Sequence, residues 1–88
     1  MDLGIQGRTA AIAAGTAGLG LATATALAAE GVRVVVCGRD EARLNNALHV
    51  IGHGAEGFIC DVSTDAGGRE FAERAIATLG SVDILVAN

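Results

Sequence analysis

The 88-residue sequence has no tyrosine, tryptophan, proline or lysine, and its only aromatic residues are two phenylalanines. Without lysine, all positive charge comes from six scattered arginines, which face ten acidic residues and leave a formal net charge of −4. A nucleic-acid backbone requires clustered basic side chains, so this composition excludes a typical nucleic-acid interface.

The sequence also lacks long apolar runs and a targeting segment. No run approaches the length of a transmembrane helix. The N-terminal residues MDLGIQGR carry an early acid and no apolar stretch, which argues against a signal peptide. We therefore expect a cytoplasmic protein that binds neither nucleic acid nor membrane.

Cysteine is scarce and its spacing predicts no metal site. Cys37 and Cys60 lie in no C-x-x-C motif, and the two histidines, His49 and His53, flank a predicted helix end. We expect both cysteines to be reduced, small buried residues at the ends of neighbouring strands. The histidines are predicted to be solvated.

What the sequence does contain is a repeated layout. Three segments each run from an amphipathic or alanine-rich stretch through a glycine into a short β-branched stretch, and a lone strand, RTAAIAA, precedes them. The predicted order is β-α-β-α-β-α-β, with later strands at 32–37, 57–60 and 82–87. These strands are apolar nearly throughout, which is typical of a parallel sheet covered on both faces. Residues 1–88 are thus predicted to form a single, incomplete α/β unit with a doubly wound, Rossmann-like parallel sheet of four strands.

The predicted helices have apolar residues at helical spacing. Asp40 and Ser63 are predicted N-caps, and Gly31, Gly52 and Gly80 are predicted C-terminal stops. The expected buried faces are Leu19, Ala22, Ala26 and Leu27 in the first helix, Leu44, Ala47, Leu48 and Ile51 in the second, and Ala72, Ala75, Ile76 and Leu79 in the third.

The stretch AIAAGTAGLGLA places Gly15, Gly18 and Gly20 between the first strand and the first helix. A helix N-terminus exposes unpaired N–H groups and partial positive charge, and glycines let a pyrophosphate approach the backbone. The position therefore predicts a dinucleotide-binding turn, in which Thr16 could donate its hydroxyl near a phosphate. Two alternatives stay open, a flexible loop of some other α/β protein and a methyltransferase fold. The latter would have an acid at the end of the second strand, where this chain has Gly38 and Arg39.

Taken together, the ordered motifs resemble the N-terminal half of a short-chain dehydrogenase/reductase. That family has T-G-x-x-x-G-x-G after the first strand, D-V after the third and N-N-A-G after the fourth. Here Gly18, Leu19 and Gly20 match the G-x-G end. Asp61 and Val62 match D-V, and Ala87 and Asn88 begin the last motif. The resemblance implies cofactor contacts at Ala14, Gly15, Thr16, Gly18, Leu19, Gly20, Arg39, Asp61, Val62 and Asn88, with Asp61 at the adenine and Val62 against its ring.

The turn departs from the family pattern, because Ala13 and Ala14 stand at the threonine and first glycine positions. Either the backbone at Ala14 keeps a negative φ, which would tolerate the methyl group, or Gly15 makes the turn in a shifted register. The sequence leaves both possibilities open.

The second strand favours NADP(H) over NAD(H) as the cofactor. An acid that would bind the ribose hydroxyls, and repel a 2′-phosphate, is replaced by Gly38. Arg39 follows directly and its guanidinium suits a phosphate. The alternative is a solvated Arg39 paired with Asp40 or Glu41.

The family's catalytic serine and Tyr-x-x-x-Lys do not occur among these 88 residues, so no catalytic residue is predicted. We expect the cofactor-binding portion of an oxidoreductase, which transfers hydride between NADP(H) and a carbonyl or secondary alcohol and is a homo-oligomer when complete. The alternative is a truncated, non-catalytic nucleotide-binding or interaction module.

Overall fold

The computed structural model describes residues 7–87 and has the predicted order of elements. Residues 1–6 and Asn88, one of the predicted cofactor contacts, lie outside the described range. The elements are β1 (Thr9–Ile12), α1 (Gly18–Ala29), β2 (Arg33–Gly38), α2 (Glu41–Ile51), β3 (Glu56–Ile59), α3 (Asp65–Leu79) and β4 (Ile84–Val86).

The four strands form one parallel sheet in the order β3-β2-β1-β4. Ala11 of β1 lies between Val35 of β2 and Leu85 of β4. The chain therefore adds strands on one side of β1 and then crosses to the other. This arrangement confirms the predicted Rossmann-like α/β class.

Both faces of the sheet are covered at β2, which explains the continuous apolar run in that strand. Val34 and Val36 pack with α1 and α2 on one face. Val35 and Cys37 pack with α3 on the other. All four residues are at most 4% exposed.

The predicted buried face of α1 is wrong. Leu19 is 76% exposed, and the buried residues are instead Gly20, Ala24 and Ala28. Spacing of four residues puts these small side chains in one stripe, and small side chains let the helix lie close to the sheet. Ala22 and Ala26, from the predicted face, are exposed, and Leu27 is half-buried.

The buried faces of α2 and α3 agree with the prediction at more positions than that of α1 does. In α2, Leu44, Ala47 and Ile51 are buried and Leu48 is half-buried, as expected. In α3, Ala75 and Leu79 are buried, but Ile76 is 52% exposed and Ala72 is exposed.

Phe71 takes the place in the α3 core that the sequence prediction assigned to Ala72. Its ring packs against Phe58 of β3 with centroids 5.5 Å apart. The Arg74 guanidinium lies 4.2 Å from the Phe58 centroid and also pairs with Glu70 at 3.4 Å. The buried face of α3 thus keeps Ala75 and Leu79 from the prediction and adds Phe71 and Gly67 in place of Ala72 and Ile76.

The N-termini of α2 and α3 and the C-termini of all three helices have ordinary caps, with one change from the prediction. Asp40 accepts a hydrogen bond from the Arg43 amide and caps α2. The N-cap of α3 is Thr64 and not the predicted Ser63, whose hydroxyl binds Asp61. At the C-termini, Gly52 and Gly80 are the caps of α2 and α3, and Gly31, with φ +85°, follows the end of α1.

Gly67 lets α3 begin directly beside the end of β3. A Cβ atom at Gly67 would overlap the carbonyl oxygen and carbon of Asp61. The neighbouring Gly68 has nothing within 4 Å of the same position. The two glycines thus have the same helix propensity, but only Gly67 lacks room for a side chain.

This contrast predicts that Gly67→Ala destabilises the fold and that Gly68→Ala does not. Overlap with backbone cannot be relieved by a side-chain rotation, so we expect Gly67→Ala to lower the free energy of unfolding by roughly 3 kcal/mol. Gly68→Ala should raise it by about 0.5–1 kcal/mol, because alanine is the better helix former. Urea denaturation of both variants measures the difference. Equal stability of the two would contradict the close approach of α3 to Asp61.

Candidate functional site

An open cleft of about 720 Å³ lies at the carboxyl ends of β1, β2 and β3. Its walls come from the three loops that follow these strands. In an open α/β sheet this end is where ligands bind. The lining residues are Ala14, Thr16, Ala17, Arg39, Asp40, Arg43, Cys60, Asp61, Val62 and Ser63.

The turn after β1 is anchored to both neighbouring strands. The Gly15 amide donates to the Cys37 carbonyl at 3.1 Å, and the Ala13 amide donates to the Val86 carbonyl at 2.9 Å. These two bonds continue the sheet pattern past the end of β1 and fix where the turn lies.

The turn also packs closely against β2, because a glycine on each side lies against a larger side chain on the other. A Cβ at Gly15 would lie 2.7 Å from Val36 Cγ1, so only glycine fits against that valine. A Cβ at Gly38 would lie 2.5 Å from Thr16 Cγ2, so here the glycine is on the strand and the larger residue is on the turn. Gly15 and Gly38 are both needed for close approach, and their replacement by larger residues would push turn and strand apart.

Ala14 has φ +56°, the left-handed conformation. Of the two possibilities that the sequence left open, a negative φ at Ala14 is therefore excluded. The alternative of a shifted turn fails in a different way, because Gly15 is absent from the residues with positive φ and serves packing instead. The alanine takes the backbone conformation that glycine adopts most easily, at a cost of about 1–2 kcal/mol.

The N-terminus of α1 has no side-chain cap. Its N-cap, Ala17, makes no side-chain hydrogen bond, and the first turn contains no acid. In contrast, the side chains of Asp40 and Thr64 cap the other two helices. Among residues 7–87, no side chain accepts a hydrogen bond from the backbone N–H groups at the start of α1, and Ala17 lines the cleft. Such an end attracts an anion.

Two arginines line the cleft beyond the end of β2. Arg39 is exposed, and among residues 7–87 the ion pair that forms is between Arg74 and Glu70, so Arg39 is not paired with Asp40 or Glu41. The second arginine, Arg43, was missed in the sequence analysis. It lies three residues after the Asp40 cap, in the first turn of α2, and that spacing was the available indication. Together the two guanidinium groups give this wall of the cleft a positive charge.

The loop after β3, the strand next to β2, places an ionised carboxylate in the cleft. Asp61 Oδ1 accepts hydrogen bonds from the Ser63 hydroxyl at 2.6 Å and from the Ser63 amide at 3.0 Å. These bonds, with a smaller effect of the Arg39 charge, hold the pKa of Asp61 below its ordinary value of 3.8. Ser63 was not predicted as a site residue, although the Asp-x-Ser spacing is typical of a turn in which an aspartate binds the amide two residues later.

The structure brings together only some of the predicted contacts. Ala14, Thr16, Arg39, Asp61 and Val62 line the cleft. Behind them, Gly15 and Gly20 are buried, while Gly18, with φ +57°, and Leu19 are exposed at the start of α1.

The two cysteines are buried and unbridged. Burial raises the pKa of both thiols, so they are neutral at neutral pH. Cys60 Sγ donates to the Gly67 carbonyl at 3.0 Å and thereby holds the start of α3 against β3. Across residues 7–87, no group of three or more potential ligands could hold a metal ion.

Comparison with known proteins gives consistent matches. The family model described as short chain dehydrogenase matches residues 8–88. A protein assigned as ketoacyl reductase 1 of the granaticin polyketide synthase of Streptomyces violaceoruber is 40% identical over 82 residues, which are 90% of this chain and 30% of that protein.

Solved structures agree with the sequence comparison. A variant of actinorhodin polyketide ketoreductase with NADPH superposes with a TM-score of 0.85 at 33% identity, over all of this chain and 34% of that one. A 3-ketoacyl-(acyl-carrier-protein) reductase of Brucella melitensis with NADH superposes with a TM-score of 0.82 at 32% identity, over 92% of this chain and 33% of that one. The chain thus spans about a third of the length of these proteins. In the described range, the helices are too short or too polar to cross a membrane.

The positive φ at Ala14 predicts that Ala14→Gly stabilises the turn. Relief of left-handed strain outweighs the greater freedom of glycine in the unfolded chain, so the free energy of unfolding should rise by about 1 kcal/mol. The matched control is Ala13→Gly, because Ala13 is buried and has no positive φ. That control should lose about 1 kcal/mol. Thermal unfolding compares the two, and a loss of stability in both would contradict the left-handed turn.

Proposed function

The chain is a member of the short-chain dehydrogenase family, and from that premise we propose that it holds the adenosine and pyrophosphate part of NADP(H). The observation that carries the choice of NADP(H) is the pair Arg39 and Arg43 beside Gly38. Two guanidinium groups offer donors to a 2′-phosphate, and no carboxylate at position 38 opposes it.

The pyrophosphate is proposed to bind at the start of α1. The N–H groups there have no side-chain acceptor within the described range, and the partial positive charge of the helix end favours an anion. Gly18, Leu19 and Gly20 form this first turn, and Thr16, which precedes it, lines the cleft.

The adenine is proposed to lie against the loop after β3. Asp61 is ionised at neutral pH and can accept a hydrogen bond from an exocyclic amino group. Its Oδ1 is engaged by Ser63, which fixes the orientation of the carboxylate. Val62 is half-buried beside it and offers an apolar contact to the ring.

The complete activity is proposed at family level only. Bound nicotinamide cofactor supplies hydride transfer to or from a carbonyl or secondary alcohol. The present chain contributes cofactor binding and orientation, and the proton-transferring serine, tyrosine and lysine would come from residues outside these 88. We further propose that the protein is cytoplasmic and that the complete enzyme is a homo-oligomer.

A second candidate is a non-catalytic nucleotide-binding or interaction module. Leu85 of the edge strand β4 is 68% exposed, and Ile76 on α3 is 52% exposed. An edge strand with an exposed apolar side chain can pair with another chain. In this alternative the cleft binds the dinucleotide while β4 recruits a partner.

The proposed function predicts that Arg39→Ala weakens NADP⁺ binding selectively. Loss of charge-assisted hydrogen bonds to the 2′-phosphate should cost about 1.5–3 kcal/mol, or roughly 10–100-fold in Kd, whereas NAD⁺ affinity should change little. Arg43→Ala should act in the same direction. Isothermal titration calorimetry with both dinucleotides measures these affinities.

The matched control is Arg33→Ala. Arg33 begins β2 at the opposite end of the sheet, where its guanidinium lies near the Thr78 carbonyl. This variant has the same change in net charge and should leave the affinity for NADP⁺ unaltered. An equal loss in Arg33→Ala and Arg39→Ala would reduce the effect to overall charge, and unchanged NADP⁺ binding by Arg39→Ala would refute the assignment.

A further inference from the structure

We infer that Thr16 is a specificity-determining residue, because its side chain fills the space that a side chain at position 38 would need. Through this contact Thr16 keeps a ribose-binding carboxylate from being accommodated at the end of β2. The inference rests on the proposed function for its consequence in cofactor choice, whereas the packing that underlies it stands without a cofactor.

The geometry leaves no room beside Thr16. A Cβ built on Gly38 would lie 2.5 Å from Thr16 Cγ2, 3.2 Å from Oγ1 and 3.4 Å from Cβ. The optimum separation of two carbon atoms is about 3.5–4.0 Å. The methyl group is therefore the atom that excludes a side chain at position 38, and the Thr16 Cβ alone would leave an ordinary contact.

Neither partner can withdraw easily. On the side of the turn, Gly15 is bonded to the Cys37 carbonyl and closely packed against Val36, which fixes the residue next to Thr16. On the side of the strand, the Gly38 carbonyl accepts from the Cys60 amide at 3.0 Å. Threonine is branched at Cβ, so few χ1 rotamers are open to it. Relief of the overlap therefore requires a less favourable χ1 rotamer of Thr16, a movement of the backbone or removal of the methyl group.

The charged side chains near Thr16 and Gly38 also favour a phosphate over a ribose hydroxyl. Arg39 and Arg43 line the cleft next to Gly38. The carboxylate of the nearby Asp40 caps α2, and that of Asp61 accepts a hydrogen bond from the Ser63 hydroxyl. Exclusion of a third carboxylate at position 38 keeps this end of the cleft favourable to a phosphate. Thr16 thus acts on cofactor choice through position 38, apart from any hydrogen bond of its own to the cofactor.

The test is a double-mutant cycle on the 88-residue chain, with Gly38→Asp, Thr16→Ala and the two combined. Gly38→Asp alone should lower Tm by about 5–10 °C, because the new side chain overlaps Thr16. With Thr16→Ala present, the same change should cost far less in Tm. The combined variant should also bind NAD⁺ at least about tenfold more tightly than Gly38→Asp does, while its NADP⁺ affinity falls below that of the parent.

Thr16→Val combined with Gly38→Asp is the matched control. Valine keeps the volume of threonine and lacks the hydroxyl, so this pair should remain as unstable as Gly38→Asp alone. Rescue by valine equal to rescue by alanine would overturn the steric basis. Additive effects of Thr16→Ala and Gly38→Asp on Tm and on NAD⁺ affinity would overturn the inference as a whole.

A further pair separates this inference from the proposed function. Gly38→Ala carries no charge, and its loss of Tm should also disappear in the Thr16→Ala background. If the parent chain binds neither dinucleotide, the proposed function fails. This Tm cycle then still decides whether Thr16 excludes side chains from position 38, and the role in cofactor choice is refuted together with the function.

Discussion

The site depends on the close contact between the turn after β1 and the strand β2. In each of two residue pairs across this contact, a glycine lies against a larger side chain: Gly15 of the turn against Val36, and Gly38 of the strand against Thr16. A hydrogen bond from the Gly15 amide to the Cys37 carbonyl holds them together. Because the turn leads directly into α1, this contact fixes the position of the uncapped helix end relative to Arg39 and the cleft.

The distribution of charge around the cleft follows from the placement of the turn and α1. The loop after β2 and the start of α2 contribute two guanidinium groups, and the loop after β3 contributes the ionised Asp61. The start of α1 contributes N–H groups that no side chain of residues 7–87 caps. An anionic ligand with a polar base at one end matches this distribution. The strain at Ala14 is a local cost, which a turn held on both sides by sheet hydrogen bonds can sustain.

Much of the fold could be predicted from the sequence because it is encoded locally. Apolar strands, helical spacing and glycine stops specify the order of elements and the parallel sheet. The buried face of α1 could not be predicted in this way, since hydrophobicity favours Leu19 over Gly20 while close packing selects the smaller residue. The site was partly predictable, since Arg39 and Asp61 follow strands. The backbone conformation of Ala14 was left open by the sequence, and the contact of Thr16 with Gly38 joins residues distant in sequence, which no local pattern reveals.

The most direct test of the account is an NMR titration of the ¹⁵N-labelled chain with NADP⁺. We expect amide shifts to concentrate in and directly beside the cleft, at Gly15–Gly20, at Arg39 and at Asp61–Ser63. Amides at the opposite end of the sheet, such as those of Gly54 and Thr78, should stay in place. Shifts centred on that opposite end, or none at millimolar NADP⁺ in a folded chain, would contradict it.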